Sequence, residues 1–187
     1  DLVHMQEVAR IMGFAPDEIM ILRGKQPTAA AIRNGIASWL TEGVGPDDMA
    51  LFYYTGHGSF IADSDGDEQD GQDEILCPSD IRAVGDRLEN VFRDDEFGSL
   101  IVRVPTNRCY VLIDACHSGT ASRGQVKFVK KRMDLTEPGA VPVGRHRGQF
   151  TPEGARPSAY IALSACLDNQ SALASENGSL FTTGLFL

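Results

Sequence analysis

Apolar residues follow two patterns along this chain. Continuous apolar runs at residues 49–54, 109–113 and 159–163 predict buried β-strands. Apolar residues at helical spacing predict helices at residues 2–12, 28–43 and 94–101. Strands that alternate with helices are typical of an α/β fold, whose mostly parallel sheet is covered on both faces.

Local signals add detail to this outline. Gly13 is predicted to end the first helix and Thr28 to cap the second. Asp94, Asp95 and Glu96 are predicted to supply the N-cap and the acidic first turn of the third. Further predictions are a short strand at residues 19–22, a long acidic loop at 59–80 with a short strand near 75–76, a long loop at 120–157 and a helix start near 178.

Composition limits the classes of function. The 187 residues suffice for one domain with a substantial core. The formal net charge of -9 argues against a nucleic-acid or anionic-membrane partner, and no apolar run approaches the roughly 18 residues of a membrane span. The four cysteines show no CxxC spacing, which favours a reduced, cytoplasmic setting. The chain opens directly before a helical pattern and stops within an apolar segment, so further sequence is expected at both ends.

Two of the predicted strands end in residues that form a thiol–imidazole pair. The run at 109–113 leads to Cys116, and the run at 49–54 leads to His57 between two glycines. Chemistry in α/β folds lies at the edge where parallel strands end. Cys116 is therefore a candidate nucleophile, with His57 as its base. The amides of Gly58 and Cys116 could form an oxyanion hole.

Other interpretations of these residues stay open. Cys116 could be a buried structural cysteine, His57 a structural histidine and Gly58 a turn residue. A zinc site from His57, Cys116 and His117 is conceivable, but it lacks the usual ligand spacing. His117 is a poor candidate for the base, because neighbours in an extended chain point apart.

The motifs around these residues resemble those of the metacaspases, which are caspase-like cysteine peptidases. The matching segments cover nearly the whole chain in order: Tyr53-Tyr54-Thr55-Gly56-His57-Gly58, the acidic stretch 63–74, Pro78-Ser79-Asp80, Asp94-Asp95-Glu96, Asp114-Ala115-Cys116-His117-Ser118-Gly119, and Ser164-Ala165-Cys166-Leu167-Asp168-Asn169-Gln170 with Gly178 and Phe181-Thr182.

The resemblance implies a caspase-like three-layer α/β/α sandwich in a single domain. A large-subunit-like part would span about 1–122, a basic linker about 123–157 and a small-subunit-like part about 158–187. It implies Cys116 as nucleophile and His57 as general acid/base, a dyad without an evident third member. It also implies cleavage after Arg or Lys, with Asp1, Thr55 and Asp114 in the specificity pocket. Two carboxylates there favour a cationic side chain, and a planar guanidinium could bind them in bidentate fashion. Without the resemblance, Asp114 would read as a cap of the next turn.

The acidic stretch raises the question of calcium. Seven carboxylates stand among residues 63–74, and oxygen-rich clusters suit Ca²⁺, although a solvated acidic loop is the simpler interpretation. The resemblance implies a calcium site from Asp70 or Asp73 with Asp94 and Asp95. Arg123 stands near the position of a further Asp in the family, a change that resembles the bacterial orthocaspase branch. We therefore expect no required cofactor and leave calcium open as a ligand.

Basic residues are concentrated after Cys116, in a segment rich in Gly and Pro. They are Arg123, Lys127, Lys130, Lys131, Arg132, Arg145 and Arg147. A nucleic-acid patch is disfavoured, because the net charge is negative and aromatic residues are not interleaved. An enzyme that cuts after Arg or Lys would find its own substrate here, so autoprocessing is predicted within residues 123–147.

Three alternative functions stay open at this point. The chain could be a non-enzymatic caspase-like scaffold, a calcium-binding regulatory domain, or a catalyst of another thiol reaction such as acyl transfer. The retention of both Cys116 and His57 favours the peptidase. The expected partners are proteins or peptides with Arg or Lys at the cleavage site, and the sequence does not decide the oligomeric state. The family's first strand has no counterpart in this sequence, so the sheet is expected to lack one strand here.

Overall fold

The structure is a computed structural model that describes residues 1–63, 71–85, 87–115, 129–130, 160–165, 172–175 and 178–186. Its helices are α1 (Leu2–Ile11), α2 (Ala29–Asn34), α3 (Asp94–Ile101) and α4 (Leu180–Phe186). A 3-10 turn covers Pro16–Glu18, and a π-helical turn, Gly35–Trp39, continues α2. The strands are β1 (Met49–Thr55), β2 (Gly58–Ala62), β3 (Gln72–Leu76), β4 (Arg82–Val84), β5 (Arg87–Glu89), β6 (Phe92–Arg93), β7 (Arg108–Asp114), β8 (Val129–Lys130), β9 (Ile161–Ser164), β10 (Leu173–Ser175) and β11 (Gly178–Ser179).

A parallel sheet lies at the centre of the fold. Its described strands have the order β1-β7-β9, and both pairings are parallel. The register pairs Met49 with Arg108 at one end and Thr55 with Asp114 at the other. The predicted α/β class with a parallel central sheet is therefore confirmed.

Helices cover both faces of this sheet. Successive strand residues point to opposite faces, so Ala50 and Phe52 face one layer while Tyr53 faces the other. The first face packs on α2, its π-helical turn and α3 in one cluster, which includes Ile32, Ile36, Ala50, Phe92, Phe97, Ile101, Val111 and Ile113. The second face lies against α1 and α4, which also contact each other. This arrangement is the predicted α/β/α sandwich.

Smaller antiparallel sheets surround the central one. Strands β2, β3 and β6 form one sheet, β4 and β5 form a hairpin, and β8, β10 and β11 form a third sheet. The predicted acidic loop at 59–80 is thus wrong over much of its length, because β2 and β3 form a paired hairpin. Strand β3 is buried at all five positions even though its first three residues are polar. The short strand predicted near 75–76 is its apolar end, and the polar residues 72–74 carried no hydrophobic signal.

Several local predictions are confirmed. Helix α1 ends before Gly13 and buries Met5 and Ala9. Thr28 caps α2, since its hydroxyl accepts a hydrogen bond from the Ala31 amide at 3.1 Å. The three carboxylates of residues 94–96 form the first turn of α3 as predicted, but the N-cap is Arg93 rather than Asp94.

The strand predicted at residues 19–22 is wrong. Ile19 is extended, with φ -113° and ψ 106°, yet the segment belongs to no described sheet. Both this segment and β1 line a cavity of about 860 Å³. A strand needs a neighbouring strand for its backbone hydrogen bonds. Within the described part of the chain, no strand pairs with residues 19–22.

The proposed division into large part, linker and small part stays a prediction. Most of the expected linker, 123–157, lies outside the described residues, apart from the backbone of β8. None of the described helices has the length and apolarity to cross a membrane.

Phe97 provides a test of the core. Its side chain has no exposed surface and contacts the rings of Phe52 and Phe92, with centroid distances of 5.0 and 6.3 Å. Phe97→Ala should lower the free energy of unfolding by about 3–5 kcal/mol, because it removes transfer energy and leaves a cavity. Urea titration followed by circular dichroism measures the change. The matched control is Val3→Ala on the exposed side of α1, where 76% of the residue is exposed; it should change stability by less than about 0.5 kcal/mol. Equal effects of the two variants would contradict this packing.

Candidate active site

His57 lies at the edge where β1 ends. Strand β1 stops at Thr55 and β2 begins at Gly58, so His57 sits in the two-residue connection and is exposed. Its carbonyl accepts hydrogen bonds from the Cys77 amide at 3.0 Å and from the Tyr54 hydroxyl at 2.8 Å. The backbone of His57 is therefore fixed while the imidazole faces solvent.

Gly56 makes this anchor sterically feasible. A Cβ at position 56 would lie 2.6 Å from the Tyr54 hydroxyl oxygen, closer than atoms can approach. The amide of Gly56 also donates to the carbonyl of Asp114 at 3.3 Å, which extends the ladder between β1 and β7 by one bond. The sequence Tyr-Thr-Gly-His thus has a local structural reason for its glycine.

Position 116 follows the neighbouring strand. Asp114 ends β7 and is the register partner of Thr55, and Ala115 after it is buried. The two chain segments therefore leave β1 and β7 side by side. In sequence, His57 comes two positions after Thr55, and Cys116 comes two positions after Asp114. Cys116 itself lies outside the described residues. The oxyanion role of its amide and of Gly58, which opens β2 and is buried, stays a prediction.

Two carboxylates lie next to this strand edge. Asp1 accepts hydrogen bonds from the Thr55 hydroxyl at 2.9 Å and from the Ser179 amide at 2.6 Å. Asp114 accepts from the Ser179 hydroxyl at 2.8 Å and from the Thr182 hydroxyl at 2.6 Å. The structure thus brings together Asp1, Thr55 and Asp114, the three residues predicted for the substrate pocket. Their contact with substrate stays a prediction.

The two carboxylates differ in exposure. Asp114 has no exposed surface, whereas Asp1 and Thr55 are only partly buried. A buried carboxylate must be hydrogen-bonded to be tolerated, and each oxygen of Asp114 accepts a hydroxyl bond. Asp1 is therefore the carboxylate that a ligand in solution reaches more readily.

Sequence reasoning missed the two residues that hold this pair. Ser179 ends β11 and Thr182 lies in the first turn of α4, and both are fully buried. Gly178 and Thr182 belong to the matched motifs, but no role follows from the motifs alone. The available signal was the presence of short hydroxyl residues in an otherwise apolar segment, since buried hydroxyls need partners.

Two of the four predicted calcium ligands are buried in the described fold. Asp73 is buried and accepts a hydrogen bond from Arg93 Nε at 2.9 Å, and Asp94 is buried at the start of α3. Asp95 is partly buried, and Asp70 lies outside the described residues. In the described ranges, no three His, Cys, Asp or Glu side chains form a group able to hold a metal ion. Calcium binding by these residues stays a prediction.

Two other cysteines are poor nucleophiles. Burial raises the pKa of Cys77 to about 12 and that of Cys109 to about 11. Cys77 lies next to the His57 backbone, and Cys109 lies in β7. Both thiols therefore stay protonated at neutral pH.

Comparison with known proteins gives consistent matches. A family model described as metacaspase, peptidase C14 domain, matches residues 5–123. Metacaspase-3 of Arabidopsis thaliana is 34% identical over 168 residues, which are 86% of this chain and 43% of that protein. Metacaspase-1 of Ajellomyces capsulatus is 37% identical over 117 residues, 58% of this chain and 31% of that protein. The chain thus spans less than half the length of these relatives.

A solved structure supports the fold. The crystal structure of a protein from Geobacter sulfurreducens superposes with a TM-score of 0.64 at 22% sequence identity. The match covers 96% of this chain and 67% of that one. At this identity the likeness concerns the fold alone.

Thiol reactivity tests the environments of Cys77 and Cys109. At about pH 7.5, fewer than roughly one in a thousand of these thiols is a thiolate, so iodoacetamide should label both at least about a hundredfold more slowly than a free cysteine. Peptide mapping by mass spectrometry measures each site separately. The same protein in concentrated urea serves as the control, where both residues should label readily. Rapid labelling of native Cys77 would contradict the environment described here.

Proposed function

The chain belongs to the metacaspase family and carries its peptidase C14 domain, and from this premise we propose that it is a cysteine endopeptidase that cleaves after Arg or Lys. Cys116 is the nucleophile and His57 the general acid/base. The observation that carries the proposal is the pairing of Thr55 with Asp114 at the ends of parallel strands. In sequence, His57 and Cys116 each follow the end of one of these strands by two residues, and Asp1 contacts Thr55 at the same strand edge.

The carboxylate pair supports the preference for a basic residue. The four hydrogen bonds described above reach Asp1 and Asp114 from hydroxyls and an amide. These donors are neutral, so they orient the oxygens without cancelling the negative charge. A substrate guanidinium or ammonium gains attraction there, while an acidic side chain meets repulsion.

The reaction proceeds through an acyl-enzyme. The Cys116 thiolate forms a bond to the scissile carbonyl carbon, and the displaced electron pair moves onto the carbonyl oxygen. The amides of Gly58 and Cys116 stabilise that oxyanion. As the intermediate collapses, the C–N bond breaks and His57 gives its proton to the leaving amine. His57 then takes a proton from water, which attacks the thioester and releases the thiolate.

Exposure of His57 suits this role. The imidazole reaches solvent, which supplies the water of the second step. Its backbone is held by Cys77 and Tyr54, and burial raises the pKa of Tyr54, so that its hydroxyl remains a donor. A fixed backbone with a free ring limits the positions from which the imidazole can reach a substrate.

Calcium is not proposed as a requirement. One oxygen of Asp73 accepts a hydrogen bond from Arg93 Nε, and Arg123 stands near the position of a further Asp in the family. Calcium as a regulatory ligand, through Asp70 and its neighbours, stays a prediction. The orthocaspase branch also stays a prediction, since the relatives reported above come from a plant and a fungus.

Fluorogenic peptides test the activity. Peptides that end in Arg or Lys should be cleaved at least about a hundredfold faster than the Asp peptide, since like charges in a closed pocket cost several kcal/mol. Cys116→Ala and His57→Ala should each lower kcat/KM at least about a thousandfold. Addition of EDTA should leave the rate unchanged.

Matched variants separate catalysis from folding. Cys77→Ala serves as the cysteine control, and it should retain activity because its protonated thiol plays no part. Circular dichroism shows whether each variant folds. A folded wild-type protein that cleaves none of these peptides would instead support a non-enzymatic scaffold or a calcium-binding regulatory domain.

Autoprocessing is a separate expectation. Apart from the backbone of β8, the basic segment 123–147 lies outside the described residues, and the proposal rests on its seven Arg and Lys residues. Incubation of the active protein should yield fragments cut after one of these residues, while the Cys116→Ala chain stays intact. Intact mass measurement of both proteins over time detects the cuts. Identical, uncut masses for an active wild type and the variant would refute it.

A further inference from the structure

One short segment near the end of the chain holds both carboxylates at the strand edge. The amide of Ser179 donates to Asp1 and its hydroxyl donates to Asp114, at 2.6 and 2.8 Å. Thr182, three residues later, donates to the other oxygen of Asp114 at 2.6 Å. Ser179 thus donates to both carboxylates.

The backbone of residues 178–179 lies close to the Asp1 carboxylate. Gly178 has φ +105°, which disfavours any residue with a side chain. A Cβ at position 178 would also lie 2.6 Å from Asp1 Oδ1. Glycine therefore lets the β11 backbone reach Asp1, and the Ser179 amide becomes a donor to it.

A third hydroxyl group lies behind Thr182. The hydroxyls of Tyr53 and Thr182 form a short hydrogen bond. The single proton of Thr182 is directed to the Asp114 carboxylate, so the Tyr53 proton is directed to the Thr182 oxygen. Burial raises the pKa of Tyr53 to about 12, which keeps that proton in place. The three groups form a chain with one direction, from Tyr53 through Thr182 to Asp114.

We propose that Ser179 and Thr182, with Tyr53 behind Thr182, are positioning residues that set the spacing and orientation of the Asp1–Asp114 pair for a cationic substrate side chain. This inference rests on the proposed function and deepens it. The hydroxyls of Ser179 and Thr182 both donate to Asp114, so their assigned role is to act through the carboxylates rather than by contact with substrate. The selectivity of a site built on β1 and β7 thus depends on the C-terminal segment.

The physical reason is the cost of a misplaced buried carboxylate. Asp114 has no exposed surface, so water does not readily replace a lost hydroxyl donor. Without Thr182, the carboxylate must rotate toward another donor, and its distance to Asp1 changes. A bidentate cation requires both carboxylates in one fixed geometry. The loss should therefore appear in the binding of a cation rather than in the chemical step.

Thr182→Val removes the hydroxyl and conserves the shape. It should raise KM for an Arg peptide about tenfold, the effect of one unsatisfied buried acceptor, and leave kcat within about twofold. The matched control, Thr182→Ser, keeps the hydroxyl and should lie within about threefold of wild type. Ser179→Ala should change KM and kcat for the Arg peptide in the same way as Thr182→Val. A peptide with neutral Gln in place of Arg should show no change in KM.

Tyr53→Phe covers the case in which Thr182→Val does not fold. It removes the hydroxyl that donates to Thr182. Because one hydrogen bond of the network is lost, KM for the Arg peptide should rise about threefold, in the same direction as for Thr182→Val. Far-UV circular dichroism establishes folding of each variant. Equal losses on Arg and Gln peptides, or a fall in kcat at constant KM, would overturn the proposal.

A direct binding measurement makes the test independent of catalytic activity. Agmatine, which carries the guanidinium of arginine, is titrated into the Cys116→Ala protein by calorimetry. In the Cys116→Ala background, a second substitution Thr182→Val should weaken agmatine binding about tenfold, whereas Thr182→Ser should leave the affinity close to that of Cys116→Ala alone. If wild type hydrolyses no peptide but this pattern holds, the proposed function fails and the positioning role stands. If agmatine binds equally to all variants, or to none, the positioning role fails.

Discussion

The parallel pairing of β1 with β7 is the constraint on which the rest of this structure depends. Seven register pairs, from Met49 with Arg108 to Thr55 with Asp114, bring two distant segments of the chain to a common end. Backbone hydrogen bonds then continue past the strands, from Gly56 to Asp114 and from Ala165 to Ile113. A shift of one residue would exchange the two faces of β7. It would remove Asp114 from the side on which Asp1 and Thr182 lie.

One face of the central sheet carries the main core, and the other face carries the polar groups of the candidate site. On one face, aromatic and aliphatic side chains from β1, β7, α2 and α3 form the main core. The other face carries polar groups at its end: Tyr53, Asp114 and Thr182 bond to one another beneath α4. Buried polar groups cost free energy unless they are paired. The largely apolar core on the first face contributes the burial that offsets this cost.

The polar network also joins parts of the chain that are far apart in sequence. Ser179 donates to Asp1 across 178 positions and to Asp114 across 65. Stacking of His4 on Phe186, with ring centroids 4.8 Å apart, links α1 to α4 in the same region. The geometry of the candidate site thus depends on distant parts of the chain, because Asp1 and the ends of β1 and β7 supply its residues and the segment 179–182 fixes their orientation. A domain cut before residue 178 would keep the strand ends and lose the groups that hold the carboxylates.

The sequence by itself determined the elements whose signals are local. The apolar runs gave β1 and β7 within a residue or two, Thr28 was recognisable as a cap, and the strand ends pointed to His57 and Cys116. The motifs indicated the family and predicted that Asp1, Thr55 and Asp114 lie together, and the structure shows them adjacent. Only the tertiary structure decided that residues 19–22 pair with no described strand, that β2 and β3 form a hairpin, and that Ser179 and Thr182 hold the carboxylates. The reason is that periodicity and caps depend on neighbours in sequence. Strand pairing and the satisfaction of a buried carboxylate depend on partners far along the chain, which no local pattern specifies.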